Sequence, residues 1–163
     1  MTFTQTGDQT IREYVKSWQN LDADEQLALF WFIYKEMGHS ITPAAPGAST
    51  VSPTIAEGLL NQVKELEDEE QLQLQRDLIN NVDTQLTREY GSLGDTTKLL
   101  FWYLLSQGMD QGTIISFPAN YQLSAESQQL FESIKGLEFQ QQITLFRDYV
   151  SPMGAEAKAG AEV

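Results

Sequence analysis

Leu27-Ala28-Leu29-Phe30-Trp31-Phe32-Ile33-Tyr34 is apolar almost all the way round a helix, and Leu99-Leu100-Phe101-Trp102-Tyr103-Leu104-Leu105 repeats that character later in the chain. A surface helix needs one apolar stripe only, so helices of this kind must be enclosed by protein or must line something apolar. Helical spacing puts Leu27, Trp31, Tyr34 and Gly38 on one face of the first. It puts Leu99, Trp102, Tyr103 and Ser106 on one face of the second. Both stripes set large flat rings beside a small residue, Gly38 or Ser106. Packed cores fill the space next to a ring with a branched aliphatic, whereas Gly or Ser leaves room for another flat or thin object. Two readings stand side by side: a buried aromatic core, or a hydrophobic ligand tunnel.

Working outward, nearly every segment reads as helix, and no period-2 stretch is bounded by hairpin turn residues. A first helix is expected from about Asp8 to Trp18, with Ile11, Tyr14, Val15 and Trp18 on one face. Asp22 and Glu25 have the spacing of a capping box that opens the first aromatic helix, which stops at Gly38. The stretch from Ile41 to Ser52 holds two prolines and a glycine and is expected to be an irregular loop, with Ser52-Pro53 as N-cap and first helical position. Further helices are expected to end at Leu66, to span Glu70 to Asn80, and to follow Asp83 to Tyr90. Asp95 is expected to cap the second aromatic helix, which ends near Gly112. Ser116 to Gln122 reads as a linker, Ser124 opens a helix ending at Gly136, and a last helix runs from Glu138 to Ser151 before Pro152. The expectation is an all-α domain of about eight helices over residues 1–154, with a disordered tail from 155 to 163.

Composition narrows the function classes. The 163 residues suit one domain with a substantial core. The absence of cysteine removes disulfides, thiolate metal sites and cysteine nucleophiles, and a single histidine, His39, excludes a multi-histidine metal site within one chain. Ten basic against 23 acidic residues give a formal net charge of −13, which disfavours nucleic acid and anionic membrane surfaces. No stretch is apolar for the length of a membrane span, and the polar start from Thr4 to Gln9 is no signal peptide. A soluble cytoplasmic protein is the expectation.

No nucleophile with a base, metal set or phosphate-cradling loop is visible, so an enzyme is not expected. Gly91-Ser92-Leu93-Gly94 is too short for a dinucleotide fingerprint and follows no strand. His39 follows a helix C-terminus, where an imidazole complements the helix dipole. Glu65, Glu67, Asp68, Glu69 and Glu70 read as a solvated helix junction, too close in sequence for a metal cage.

With these features placed, the chain resembles the N-terminal, carotenoid-binding domain of the cyanobacterial orange carotenoid protein. Because it ends where that domain ends, it looks like a stand-alone helical carotenoid protein. The matching stretches are Asp24-Glu25-Gln26-Leu27-Ala28-Leu29-Phe30-Trp31-Phe32, Pro46-Gly47-Ala48, Phe101-Trp102-Tyr103, Tyr121-Gln122-Leu123-Ser124-Ala125, and Gln141-Gln142-Ile143-Thr144 with Arg147. They run from Leu21 to Gly154 in the family's order and spacing. The resemblance implies two discontinuous four-helix bundles with a keto-carotenoid, of the canthaxanthin or echinenone type, in a tunnel between them. It places Leu27, Trp31, Tyr34, Trp102, Tyr103, Tyr121, Ile143 and Thr144 on pigment contacts, with Ile41 and Leu99 beside them. Ser106 and Phe117 fall on pocket positions where relatives often carry glycine and a branched aliphatic. Gln107 replaces an acidic residue, and Gln75-Arg76 replaces small apolar residues, so one tunnel end is expected to be more polar. Arg147 matches an arginine used in docking to the phycobilisome. The implied functions are photoprotection by singlet-oxygen quenching, phycobilisome quenching close to the cytoplasmic face of thylakoids, or pigment exchange with a stand-alone C-terminal-domain homologue. The implied fold lacks the second domain needed for photoswitching. A pigment-free helical interaction module is the remaining alternative.

Overall fold

The computed structural model describes residues 2–44 and 53–155, with side chains for 9–37 and 55–155. Gly38, His39 and Ile41 therefore lie outside the described side chains, and Pro46-Gly47-Ala48 and the tail from 156 lie outside the described residues altogether. Among the described residues every regular element is a helix: α1 Thr2–Gln19, α2 Ala23–Ala44, α3 Pro53–Lys64, α4 Asp68–Ile79, α5 Gln85–Gly91, α6 Asp95–Gln111, α7 Ala125–Lys135 and α8 Phe139–Val150. The all-α expectation holds.

Local chemistry sets most boundaries. Ser124 accepts the Ser127 amide at the start of α7, and Glu138 with Gln141 forms a reciprocal box at the start of α8. Thr84 with Thr87 caps α5 in the same way. In the acidic cluster, Glu67 and Glu70 form the box of α4, so these carboxylates serve the helix start.

Four boundaries differ from expectation. Helix α1 begins at Thr2, because a helix nucleated by the apolar positions from Ile11 onward extends over polar residues that carry no periodic pattern. In α2 the break falls at Met37 (φ −139°, ψ 15°), and helical backbone then resumes to Ala44 where a loop from Ile41 is expected. Pro43 stands next to the end of this short segment, where a missing N–H interrupts little helix. Gly94 is the N-cap of α6, and Asp95 is its first helical residue, its carboxylate accepting the Ser151 hydroxyl at 2.7 Å. Ala155 is not frayed: its amide donates to Thr87 O at 3.1 Å.

Helices α1, α7 and α8 with the start of α2 pack as one group, and α3 to α6 pack as another. Contacts of α2 with α4 and α6, and of α6 with α8, join the two groups. The chain enters the first group, crosses to the second and returns, which makes the first group discontinuous in sequence while α3 to α6 follow one another. After α8 the backbone crosses again: the Gly154 amide donates to Leu78 O at 2.9 Å, and Asn81 Nδ2 donates to Pro152 O and Gly154 O at 2.7 and 2.8 Å. Gly154 has φ +83°, and a Cβ there would lie 2.8 Å from Thr87 O, so this crossing requires glycine.

The core straddles both groups. Trp18 stacks on Tyr149 (centroids 3.8 Å apart, 10° between planes), Phe30 lies 5.6 Å from Trp102, and Phe101 packs edge-on against Tyr90. Every polar tip in this stack has a partner. Trp18 Nε1 donates to Gln26 O, Tyr149 Oη to Gln26 Oε1, Trp102 Nε1 to Tyr90 Oη, and Tyr90 Oη to Val150 O. Burial drives both phenols, Tyr90 and Tyr149, well above their usual titration range.

Candidate functional site

Helix α2 carries Trp31 and Tyr34, one turn apart, at the point where it packs on α6 and its Tyr103. Trp31 stacks on Tyr34 at 5.7 Å and 16°, and Tyr34 meets Tyr103 edge-on at 5.5 Å and 63°. These rings form a ladder that is only half-buried. Lys35 Nζ lies 5.2 Å from the Trp31 ring centroid, a cation held against its face. Beside the ladder opens a cleft of about 520 Å³, whose apolar lining is Trp31, Phe32, Met109, Phe117, Tyr121 and Phe131. Exposed Lys35, Glu36 and Asp110 stand on its rim.

The segment between α6 and α7 has no helix of its own and supplies Phe117 and Tyr121, which pack edge-on at 5.0 Å. Tyr121 Oη donates to Glu25 Oε2 at 2.5 Å. Burial, this bond and the acidic neighbours Glu25, Asp22 and Asp24 push the Tyr121 phenol far above its usual range. Burial alone would raise the Glu25 carboxyl, but hydrogen bonds from Ser127, Tyr121 and Ser124 outweigh it and hold that group below the usual carboxylate range. Tyr34 is raised by burial and by the nearby Tyr103 and Asp110. Among the described residues the hydroxyls of Tyr34 and Tyr103 meet no protein partner, unlike those of Tyr90, Tyr121 and Tyr149.

The residues named from the sequence fall into two sets. Trp31, Tyr34 and Tyr103 come together in the ladder, Phe117 and Tyr121 come together in the cleft wall, and Thr144 is half-buried on α8. Leu27, Leu99, Trp102, Ser106 and Ile143 are sealed in the core. The two aromatic stripes thus part company: Trp102 turns inward to Phe30 and Tyr90, and its helical neighbour Tyr103 turns to the ladder. Gln75 is buried, while Arg76 turns to Asp24 in a bidentate pair at 2.8 and 3.0 Å. Gln107 and Arg147 are half-buried, and among the described residues Arg147 forms no ion pair.

Sequence reasoning missed Phe32, Met109 and Phe131 as lining, and Glu25 as anchor. The apolar character of the first three was visible, but helical phase cannot tell which apolar residue borders a cleft and which fills a core. Among the described residues no cluster of carboxylates and imidazoles suits a metal ion, and no helix is long and apolar enough to cross a membrane.

An apolar ligand with polar ends is what such a surface suits: large rings left half-buried, a charged rim, and two phenols with no hydrogen-bond partner among the described residues. The pattern of the family described as orange carotenoid protein, N-terminal, matches residues 4–156. The chain belongs to that family. It is a family of carotenoid-binding domains, not of enzymes. An orange carotenoid-binding domain-containing protein of Nostoc sp. is 46% identical over 155 residues, which are 95% of this chain and 89% of the relative. The orange carotenoid-binding protein of Synechocystis sp. is 43% identical over 88% of this chain, but the match spans only 44% of that longer protein. Among solved structures, the Red Carotenoid Protein of Anabaena (Nostoc) sp. binding canthaxanthin is 77% identical with a TM-score of 0.81, covering 90% of this chain and 99% of that one. The Orange Carotenoid Protein of the same organism, also binding canthaxanthin, is 42% identical with a TM-score of 0.80, covering 91% of this chain and 47% of that one.

Proposed function

We propose that this protein binds a keto-carotenoid of the canthaxanthin type between its two bundles and serves as a quencher of singlet oxygen. The observation that carries the reading is the half-buried ladder of Trp31, Tyr34 and Tyr103 beside an apolar cleft, in a chain whose relatives have been solved with canthaxanthin. Large rings left half in water are a cost that an apolar ligand removes, at about 25 cal/mol for each Å² covered. A bound keto-carotenoid supplies a conjugated polyene that accepts energy from singlet oxygen and sheds it as heat. The residues of this chain contribute position and rigidity. Trp31 and Tyr34 offer parallel ring faces, and Phe117 and Tyr121 wall the cleft. Tyr34 and Tyr103 have hydroxyls available to a keto oxygen.

The net charge of −13 opposes docking to the acidic phycobilisome, which places singlet-oxygen quenching ahead of antenna quenching. The test is a visible spectrum of the protein purified from a canthaxanthin-producing host. A broad orange-to-red band that co-elutes with the protein is expected, followed by faster singlet-oxygen decay in its presence and unchanged phycobilisome fluorescence. A colourless product from pigmented cells would overturn the reading. Loss of phycobilisome fluorescence on mixing would replace the singlet-oxygen role with antenna quenching.

A further inference from the structure

Resting on the pigment-binding reading, we propose that Glu25 is the positioning residue of the cleft: its carboxylate fixes Tyr121 and with it the wall that the α6–α7 segment forms. The spacing of Asp22 and Glu25 marks a capping box, but only one arm of it forms. The Glu25 amide donates to Asp22 Oδ1 at 2.8 Å, while the Glu25 carboxylate turns away from the helix start. It accepts the Tyr121 hydroxyl on Oε2 at 2.5 Å, and on Oε1 the Ser127 hydroxyl at 2.5 Å and the Ser124 amide at 3.2 Å. These donors lie 96 to 102 residues further along the chain.

A carboxylate suits this place because it offers two acceptor oxygens and no competing donor; an amide side chain would turn an NH2 toward one of the hydroxyls. Arg76 does not compete for it, being engaged bidentately by the adjacent Asp24. Two consequences follow for the cleft. The Tyr121 hydroxyl is committed to Glu25, so Tyr121 meets a ligand with its ring and leaves keto recognition to other donors. Phe117, edge-on to Tyr121, inherits the same anchor. A segment without regular backbone hydrogen bonding thereby presents two rings in a set orientation, which a rigid polyene requires.

The experiment uses the full chain with Glu25→Gln, Tyr121→Phe, the double variant, and Ser127→Ala as the control that removes the other hydroxyl arm, together with its contact to the Ser124 hydroxyl, and leaves Tyr121 bonded. In ligand-free protein, amide hydrogen exchange over residues 117–123 is expected to quicken about tenfold in Glu25→Gln and Tyr121→Phe. The double variant is expected to show no further increase. In the canthaxanthin complex the same two variants are expected to shift the absorption band equally, while Ser127→Ala leaves it in place. Wild-type exchange in Tyr121→Phe, or additive effects in the double variant, would overturn the proposal and reduce Glu25 to a clamp on the start of α7. Wild-type protein that stays colourless with canthaxanthin would instead sink the pigment reading, and the exchange rates would still decide whether Glu25 orders the segment.

Discussion

Phe30 and Trp31 are adjacent on α2, and Trp102 and Tyr103 are adjacent on α6, yet each pair is divided between two aromatic clusters of opposite character. Phe30 and Trp102 join Trp18, Tyr90 and Tyr149 in a buried stack, where each nitrogen or hydroxyl has a protein partner. Trp31 and Tyr103 join Tyr34 in a ladder that remains half-buried beside an open cleft. A ring belongs to the fold when both its faces and its polar tip are satisfied by the protein. It is available to a ligand when part of the ring stays exposed beside a cleft. Aromatic content alone does not separate the two.

Substitutions should separate them cleanly. The largest loss of stability is expected for Trp18→Ala, which removes the ring stacked on Tyr149 and leaves a buried cavity, at about 3–5 kcal/mol in urea unfolding. Trp102→Ala belongs in the same class, although the family resemblance places Trp102 at the pigment. If pigment affinity in Trp102→Ala falls while stability holds, the division between the clusters is wrong at that residue. Next comes Tyr90→Phe, which strands the Trp102 indole N–H in a dry core and leaves the Val150 carbonyl with only the Met153 amide; about 1–3 kcal/mol is expected, with the pigment band unmoved.

Trp31→Ala is expected to reverse that pattern. Its half-exposed ring should cost only about 1 kcal/mol of stability, while canthaxanthin affinity falls about tenfold or more, measured by titration of the ligand-free protein. Retained affinity would remove the ladder from the site. The smallest effect expected is in pH dependence. Because the folded protein holds Glu25 below its usual range, its contribution is complete above the ordinary carboxylate range and is lost as pH falls through the lowered folded value. The stability gap between wild type and Glu25→Gln should therefore narrow in urea titrations carried from pH 7 to about pH 3. A gap that widens on acidification would contradict the anchoring role.

Much of the fold was legible without coordinates. Ser124, Glu138 and Pro152 mark the ends of α7 and α8 through hydrogen bonds or steric stops that act within one turn. The start of α1 and the course of α2 past Met37 were not legible, because polar helix carries no hydrophobic period and a break shifts helical phase. At the site, Trp31, Tyr34 and Tyr103 were legible as large rings on nearly all-apolar helices. Phe131 and Met109 were not, since their place beside the cleft depends on how α6 and α7 approach α2.

By itself the sequence determined that this chain is helical, where most helices start and stop, and which two runs concentrate its large rings. Those properties rest on 3.6-residue periodicity and on caps whose partners lie a few positions away. Only the tertiary structure decided which rings are sealed and which are open, that Glu25 reaches Tyr121 rather than closing its own capping box, and that Gly154 carries the chain from one bundle to the other. Each of these turns on groups dozens of residues apart that meet only after packing. A helical wheel gives a side chain's direction but not what waits there.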